Sequence, residues 1–473
     1  MKTYPLWIGG QQVPGAEVVD VSRPYDLSVF ARAGMADEAQ LEAAVQATVA
    51  AKIPMARLAS WQRAAILSKM ATLITERTRE LAEIIRDEAG KPIQYARGEV
   101  ARAASTFIFA AEEAKRLEGH TINLDAVEAG QGRFGIVRPF PVGATLAVSP
   151  FNFPLNLASH KVAPAIAAGC PVLLKPASKT PLSGLMLAEI AAQAGLPEGG
   201  LNVVPCSRRV ADPLTADPRF ALLSFTGSVP VGWGMKARAG KKRVVLELGG
   251  DAPVIVGPDA DLEAIIPRLA FGAFSYAGQV CISVQRIFVH ESIADTFRAR
   301  FVHFVREGVK WGDPSDPAVM VGPLIDESNV RRIMDWVQEA RAGGARLLTG
   351  GDRVGQVVTP AVLEGVPPGC SLDRDEAFGP VVNLATFRSW EDVVEQANRS
   401  NFGLQAGVFT NDLKGLWTCY EGLDVGGVIH NDVPTFRVDH MPYGGVKDSG
   451  FGREGVRYAL HDYVEPRLLA LKP

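Results

Sequence analysis

Across residues 37–117, apolar side chains recur every three or four positions among Glu, Arg and Lys, in EAQLEAAVQATVAA, QRAAILSKMATLITERTRELAEIIRDEAG and EVARAASTFIFAAEEAKRL. That period predicts amphipathic helices. Gly90 and Pro92 close the middle one, since glycine accepts the left-handed turn that ends a helix and proline cannot continue it. The texture then changes. Short apolar runs (GATLAV, PVLLK, LNVVP, FALLSF, RVVLELGG) alternate with the helical segments HKVAPAIAAG, TPLSGLMLAEIAAQAG and PVGWGMKARAG. This alternation predicts a parallel sheet wound with helices, and wholly apolar strands suit a sheet covered on both faces. A second alternation follows Glu247, through APVIV, DLEAIIPRLAFGAFSYAG, QRIFVH, ESIADTFRARFVHFVREG, EDVVEQANRSN and AGVFT. GRFGIVRPFPV and YVEPRLLALK fit neither alternation and read as strands that leave the body of the fold. There is no internal repeat and no low-complexity segment.

Composition narrows the class. A chain of 473 residues is too long for one ordinary core, so at least two domains are expected. Lys and Arg number 49 against 52 Asp and Glu, a net charge of −3, which offers no basic surface for nucleic acid. A hydrophobic fraction of 47% with 47 glycines and 32 prolines fits a soluble α/β enzyme. MKTYPLWIGGQQVPG lacks the apolar core of a secretory signal, and VAPAIAAGCPVLL is too short and too broken to span a bilayer. The cysteines at 170, 206, 281, 370 and 419 form no CxxC and complete no zinc pattern. Neither a metal nor a disulfide is expected, and the cytoplasm is the expected location.

Several short stretches carry candidate chemistry. Cys281 in GQVCISVQR is either a small core residue or a nucleophile at the mouth of a pocket. Asn152 in SPFNFPLN lies between prolines that stiffen the backbone, so its amide suits an oxyanion hole, although a turn asparagine is the plainer reading. Glu247 in LELGG sits between leucines, where a raised pKa suits a general base; an edge glutamate reaching solvent is the alternative. Lys175 in LLKPAS ends a strand, where open α/β sheets bind ligands. Gly227 and Ser228 in SFTGSVPVG stand at a strand-to-helix turn able to receive a phosphate, or at a plain turn; the stretch is not a GxGxxG fingerprint.

Taken together, these fragments resemble the NAD(P)-dependent aldehyde dehydrogenase superfamily over nearly the whole chain. SPFNFPLN, LLKPAS, FTGS, LELGG, GQVCISVQR, DEAFGPV, NFGLQAGVFT and MPYGGVKDSGFGREG appear in the family's order. The separations 281 − 247 = 34 and 175 − 152 = 23 also match. The resemblance implies an α/β fold with a Rossmann-type cofactor domain (residues 1–119 and 141–248), an α/β catalytic domain (249–430) and a small β oligomerisation arm (120–140 and 455–473). It implies that Cys281 attacks the aldehyde as a thiolate and that Asn152 and the Cys281 amide hold the oxyanion. Glu247 then activates the water that hydrolyses the thioester. Because members that pass the acyl group to coenzyme A generally lack this glutamate, a free carboxylic acid is the expected product. Lys175, Ser178, Gly227, Ser228, Glu376 and Phe378 match cofactor-contacting positions. At Ser178 the family often has a glutamate that repels a 2′-phosphate, so either NAD or NADP is expected. A homodimer or homotetramer is implied through the arm.

Arg102 and Arg437 stand where relatives that oxidise anionic aldehydes grip a phosphate, phosphonate or carboxylate, among them phosphonoacetaldehyde, succinate-semialdehyde and non-phosphorylating glyceraldehyde-3-phosphate dehydrogenases, with lactaldehyde dehydrogenases nearby. Arginine suits bidentate anion binding. The further arginine some of them carry before the cysteine is Val280 here, and Arg102 also reads as part of a solvated helix face. The expectation is a small aldehyde with an anionic tail. Two other classes remain in play. A cysteine hydrolase or acyltransferase would want a histidine partner for the thiol, and a non-catalytic dinucleotide-binding protein would normally have lost Cys281, Glu247 or Asn152.

Overall fold

The computed structural model describes residues 1–473. Its first sheet has eight strands, with five parallel strands at its centre: Arg243–Glu247, Leu222–Thr226, Thr145–Val148, Val172–Lys175 and Leu201–Val203. These are the apolar runs of the sequence, and nearly all of their residues are buried because helices cover both faces. Antiparallel strands close both edges: Gly450–Phe451 beside Arg243–Glu247, and Leu6–Ile8 then Gln11–Val13 beside Leu201–Val203. From Thr145–Val148 the chain winds outward one way to Leu201–Val203, then returns to Leu222–Thr226 on the other side. That reversal opens a crevice at the carboxyl ends of the strands, where ligands of such sheets bind.

The second sheet has seven strands in the order Arg346–Thr349, Ala361–Glu364, Val381–Phe387, Arg286–His290, Pro253–Val256, Gln405–Phe409 and Gly427–His430; only the first runs antiparallel. Each sheet buries its own apolar core, the larger groups holding 54 and 37 residues, so these are two domains rather than one. His120–Ile122, Phe134–Pro141 and Val464–Leu471 form a third, antiparallel sheet that projects from the body. Phe134, Leu468 and Leu469 are exposed on it.

The C-terminal stretch differs from the expected boundary at residue 455. Helix Val456–Tyr463 packs into the core of the first domain, burying Val456, Ala459, Leu460 and Tyr463 there, and only the strand Val464–Leu471 belongs to the arm. An apolar face at helical spacing holds the helix down. No helix of the structure is long and apolar enough to cross a membrane, and no group of three or more His, Cys, Asp or Glu side chains is arranged to hold a metal.

One buried carboxylate organises the helices behind the crevice. Glu99, in helix Ile93–Arg116, accepts from the Leu155 N–H (2.9 Å) and the Asn156 N–H (3.1 Å), satisfying the start of helix Asn156–Ala168. Its other oxygen takes the Lys91 ammonium, and both side chains are fully buried. Lys91 Nζ in turn lies 3.5 Å from the Phe153 ring centroid and 4.6 Å from that of Tyr276. Breaking such a pair leaves an uncompensated buried charge, which costs about 3–5 kcal/mol. Glu99→Ala is therefore expected to lower the thermal unfolding midpoint sharply, as followed by circular dichroism. An unchanged midpoint would show the pair to be dispensable.

Candidate active site

The loops that leave the parallel strands of the first sheet meet one loop of the second. That loop joins helix Leu262–Phe274 to strand Arg286–His290 and carries Cys281. It turns through three successive left-handed residues, Tyr276 (φ 53°), Ala277 (φ 54°) and Gly278 (φ 67°). For non-glycine residues this conformation costs roughly 1–2 kcal/mol each, so it persists only where surroundings hold it. The Tyr276 hydroxyl donates to the Ala89 carbonyl (3.0 Å). The Gln279 amide donates to Pro323 O (3.2 Å) and accepts from the Ile325 N–H (2.9 Å). A Cβ at Gly278 would overlap the Gly379 carbonyl.

Asn152, four residues beyond the strand end at Val148, is buried and donates through Nδ2 to the Gln279 carbonyl at 3.0 Å. One Nδ2 hydrogen is thus engaged, and the other is available two residues upstream of Cys281. The Cys281 amide takes part in no hydrogen bond. An amide hydrogen to spare and an unpartnered backbone N–H are donors of the kind an oxyanion requires. Glu247, the last residue of its strand, is 2% exposed, and neither carboxylate oxygen has a partner. Burial and the nearby Glu454 charge lift its carboxyl well above the usual range, against the pull of Arg437 and Lys161. A carboxylate raised in this way holds a proton more readily than an exposed one, as a general base requires.

The glycines after Glu247 are spacers. At Gly249 a Cβ would overlap Glu376 Oε2, and at Gly250 it would lie 2.8 Å from the Cys281 carbonyl oxygen. The Gly250 N–H donates to Glu376 Oε1 (3.1 Å), and burial pushes the Glu376 carboxyl up to about 8. Phe378, left-handed at φ 45°, sets its ring edge-on to Phe151 at 5.8 Å, beside Asn152. Gln285 clamps this loop, accepting from the Ala377 N–H (2.8 Å) and donating to Asp375 O (2.9 Å).

Cys281 Sγ has one side-chain partner, the Tyr443 hydroxyl at 2.9 Å. Burial pushes the thiol up to about 12, with the Tyr443 bond and the Arg437 charge opposing. No imidazole serves the thiol, which removes the arrangement a cysteine hydrolase would need. Arg437 lies 3.6 Å from the Tyr443 ring centroid and donates to Glu454 (2.9 Å); its Nε is buried without a partner. Arg102 donates to Asp439 through Nη2 (2.8 Å) and Nε (3.2 Å). Asp439 also bonds His160 (2.9 Å). Burial opposes charge on Asp439, but His160 and Arg102 outweigh it and hold the carboxyl below its usual range.

The cofactor positions gather at the same strand ends. Lys175, with Val148, Phe225, Pro230, Val231 and Arg208, lines a cavity of about 260 Å³. The only bond from Lys175 goes to the adjacent Pro176 carbonyl at 3.2 Å, so it is a cation with donors to spare, its pKa lowered by burial. Gly227 and Ser228 open helix Val229–Arg238, whose first N–H groups lack helical partners. Apolar walls for a flat ring, a spare lysine and a helix N-terminus fit a dinucleotide. Ser178 is exposed and lies outside the cavity, reaching only toward Cys206 O at 3.5 Å; Lys179 leans toward Asp326. Motif spacing could not find Tyr443, Glu454, Lys161 or Arg208. Tyr443 was visible inside MPYGGVK as an aromatic wedged between a proline and two glycines.

The paired α/β architecture, with its crevice at the carboxyl ends of the parallel strands, is that of a dinucleotide-binding oxidoreductase. The chain belongs to the aldehyde dehydrogenase family, whose model matches residues 7–469. It is 39% identical to a 3-sulfolactaldehyde dehydrogenase of Priestia aryabhattai over 473 residues, covering 100% of this chain and 98% of that protein. Among solved structures, aldehyde dehydrogenase 21 of Physcomitrella patens, in complex with the reaction product succinate, superposes with a TM-score of 0.97 at 46% identity, covering 99% of this chain and 98% of that one. An NADP-dependent glyceraldehyde-3-phosphate dehydrogenase of Bacillus halodurans, complexed with NADP, gives 0.96 at 33% identity and 99% of each chain.

The packing of Gly250 against the cysteine makes a direct prediction. Gly250→Ala must displace the Cys281 backbone, and a shift near 1 Å at a reacting group costs on the order of 100-fold. Steady-state kcat/KM with intact circular dichroism is the measurement; activity within about twofold of wild type would refute the close packing.

Proposed function

We propose that this aldehyde dehydrogenase oxidises a small aldehyde bearing an anionic tail to the carboxylic acid, with Cys281 as nucleophile and NAD or NADP as hydride acceptor. The observation that carries the reading is that Asn152 bonds the loop of Cys281, while Glu247, at the end of its strand, acts electrostatically on the thiol and is buried with both oxygens unpartnered. Sγ adds to the carbonyl carbon, and the resulting oxyanion lies between Asn152 Nδ2 and the Cys281 N–H. The bound dinucleotide supplies the acceptor for the hydride that leaves this carbon, and a thioester remains on Cys281. Glu247 then takes a proton from the water that attacks the thioester; the C–S bond breaks and the acid departs.

Lys175 and the start of helix Val229–Arg238 would hold the adenosine and pyrophosphate, with Glu376 and Phe378 toward the nicotinamide. A neutral residue at 178 and Arg208 in the cavity favour acceptance of NADP as well as NAD.

The anionic tail is supported by Arg437 and Arg102. Each is partly engaged by a carboxylate, yet the buried Arg437 Nε donates to nothing, and Arg102 binds through one edge only. Sulfolactaldehyde, for which one relative is named, and succinate, bound in another, are both small molecules that carry an anionic group. The projecting sheet with exposed Phe134, Leu468 and Leu469 supports a homodimer or homotetramer built through the arm. Five free cysteines suit a reducing, cytoplasmic setting.

Kinetics with NAD and NADP over sulfonate-, carboxylate- and phosphate-bearing aldehydes and neutral ones tests the substrate reading; equal efficiency with neutral aldehydes refutes it. Asn152→Ala should cost about 100- to 1,000-fold in kcat. Glu247→Gln should give one burst of reduced cofactor and then stall as the acyl-enzyme. Because burial raises the Glu247 carboxyl, its base form fills only above the usual carboxylate range, so wild-type turnover should climb with pH beyond that range. A multiple-turnover Glu247→Gln enzyme with the same climb would remove the assigned base. Truncation before Val464 should yield monomers by light scattering; an unchanged mass would exclude the arm as the interface.

A further inference from the structure

We infer that the Tyr443 hydroxyl is a catalytic group that donates a hydrogen bond to the Cys281 thiolate, and that Arg437 acts through it as a positioning residue. This rests on the assignment of Cys281 as nucleophile. Tyr443 is 2% exposed, and its hydroxyl has no hydrogen-bond partner other than Sγ, at 2.9 Å. A thiolate can only accept, so in the reactive state the phenol is the donor.

Three features prevent the hydroxyl from wandering. The Tyr443 N–H donates to Glu454 O (3.1 Å), and the Glu454 N–H returns the bond to Tyr443 O (2.6 Å). The side chain packs with Ile282 and Leu404, which flank the cysteine. Arg437 covers the ring at 3.6 Å and is itself fixed on Glu454, whose second oxygen takes Lys161 at 3.3 Å. A guanidinium over the ring draws on its π density and makes the O–H a stronger donor, so the cation acts on the sulfur without touching it.

The chemistry calls for such a group. A thiol this deeply set in apolar surroundings resists ionisation, and the thiolate is the nucleophile. During activation the thiol proton leaves to solvent, while the phenol keeps its own proton throughout. Once the S–C bond forms, sulfur no longer carries the charge and the hydrogen bond weakens. Tyr443 therefore favours the thiolate over the acyl-enzyme and supports attack without acting as an acid or a base.

The test is the pH dependence of Cys281 alkylation by iodoacetamide, with the modified site located by peptide mass spectrometry. Wild type, Tyr443→Phe and Arg437→Lys would be compared without aldehyde. Tyr443→Phe keeps the ring and its stacking and removes only the donor. Its alkylation midpoint should rise by about one pH unit, a roughly tenfold slower reaction at fixed pH, as expected for losing a hydrogen bond to a charged group. Arg437→Lys should shift it in the same direction by less. NAD(P) affinity, read by fluorescence quenching, should be unchanged in both. An unmoved midpoint in Tyr443→Phe, or a moved midpoint accompanied by loss of dinucleotide binding, overturns the inference. Cys281→Ala separates the two readings. If that variant still oxidises aldehydes, the nucleophile assignment fails; if it is inactive while Tyr443→Phe keeps the wild-type midpoint, only the role of Tyr443 fails.

Discussion

Everything around the thiol hangs on one buried ion pair. Lys91 and Glu99 bond each other in the fully buried layer beneath the crevice, and each also holds a different part of the site. Glu99 anchors the helix that follows the Asn152 loop. Lys91 sits against Phe153, next to Asn152, and against Tyr276, the first of the three left-handed residues before the cysteine. Two loops from different domains are thereby referred to a single point. An apolar pair of equal volume would be no less stable in principle, but it would offer neither the carboxylate for the helix start nor the cation for the two rings.

Charge is arranged around the cysteine in alternating signs. Glu454 is shared by Lys161 and Arg437, and Asp439 by Arg102 and His160. Glu247 differs from both, a carboxylate with no cation bonded to it. Burial opposes charge on Glu454 as well, yet Lys161, His160 and Arg437 hold it below the usual carboxylate range, while Glu247 is lifted. Two glutamates in one buried layer are thus driven apart, one fixed as a structural anion and one left to exchange a proton. The difference lies in their neighbours, since both are buried.

Much of this was legible in the chain. Apolar runs ending at Val148, Lys175, Thr226 and Glu247 announced a parallel sheet, and the chemistry-bearing residues stand at or just after those ends. Cys281, Asn152 and Glu247 could be named because each lies in a short stretch with its own backbone signature. The pairing of Arg102 and Arg437 with Asp439 and Glu454 could not, since the first of those contacts joins positions 337 residues apart. The N-terminal strands went unread because they are short, partly exposed and without clean alternation, Glu17–Ser22 being the clearest case. The boundary at residue 455 was misplaced because a helix and a strand run on without a turn residue between them at Tyr463 and Val464.

The route of the chain's last stretch carries a consequence for biosynthesis. Between Tyr443 and Leu471 the chain meets the thiol, adds an edge strand to the first sheet, lays a helix into that domain's core and ends in the arm. A nascent polypeptide halted before this stretch would already contain Cys281, Asn152 and Glu247. It would lack the Tyr443 hydroxyl on the sulfur, the ring that Arg437 covers and a side of the first domain's core. The contacts on the Cys281 sulfur are thus complete only once this stretch has been made, and the exposed strand of the arm is made with them.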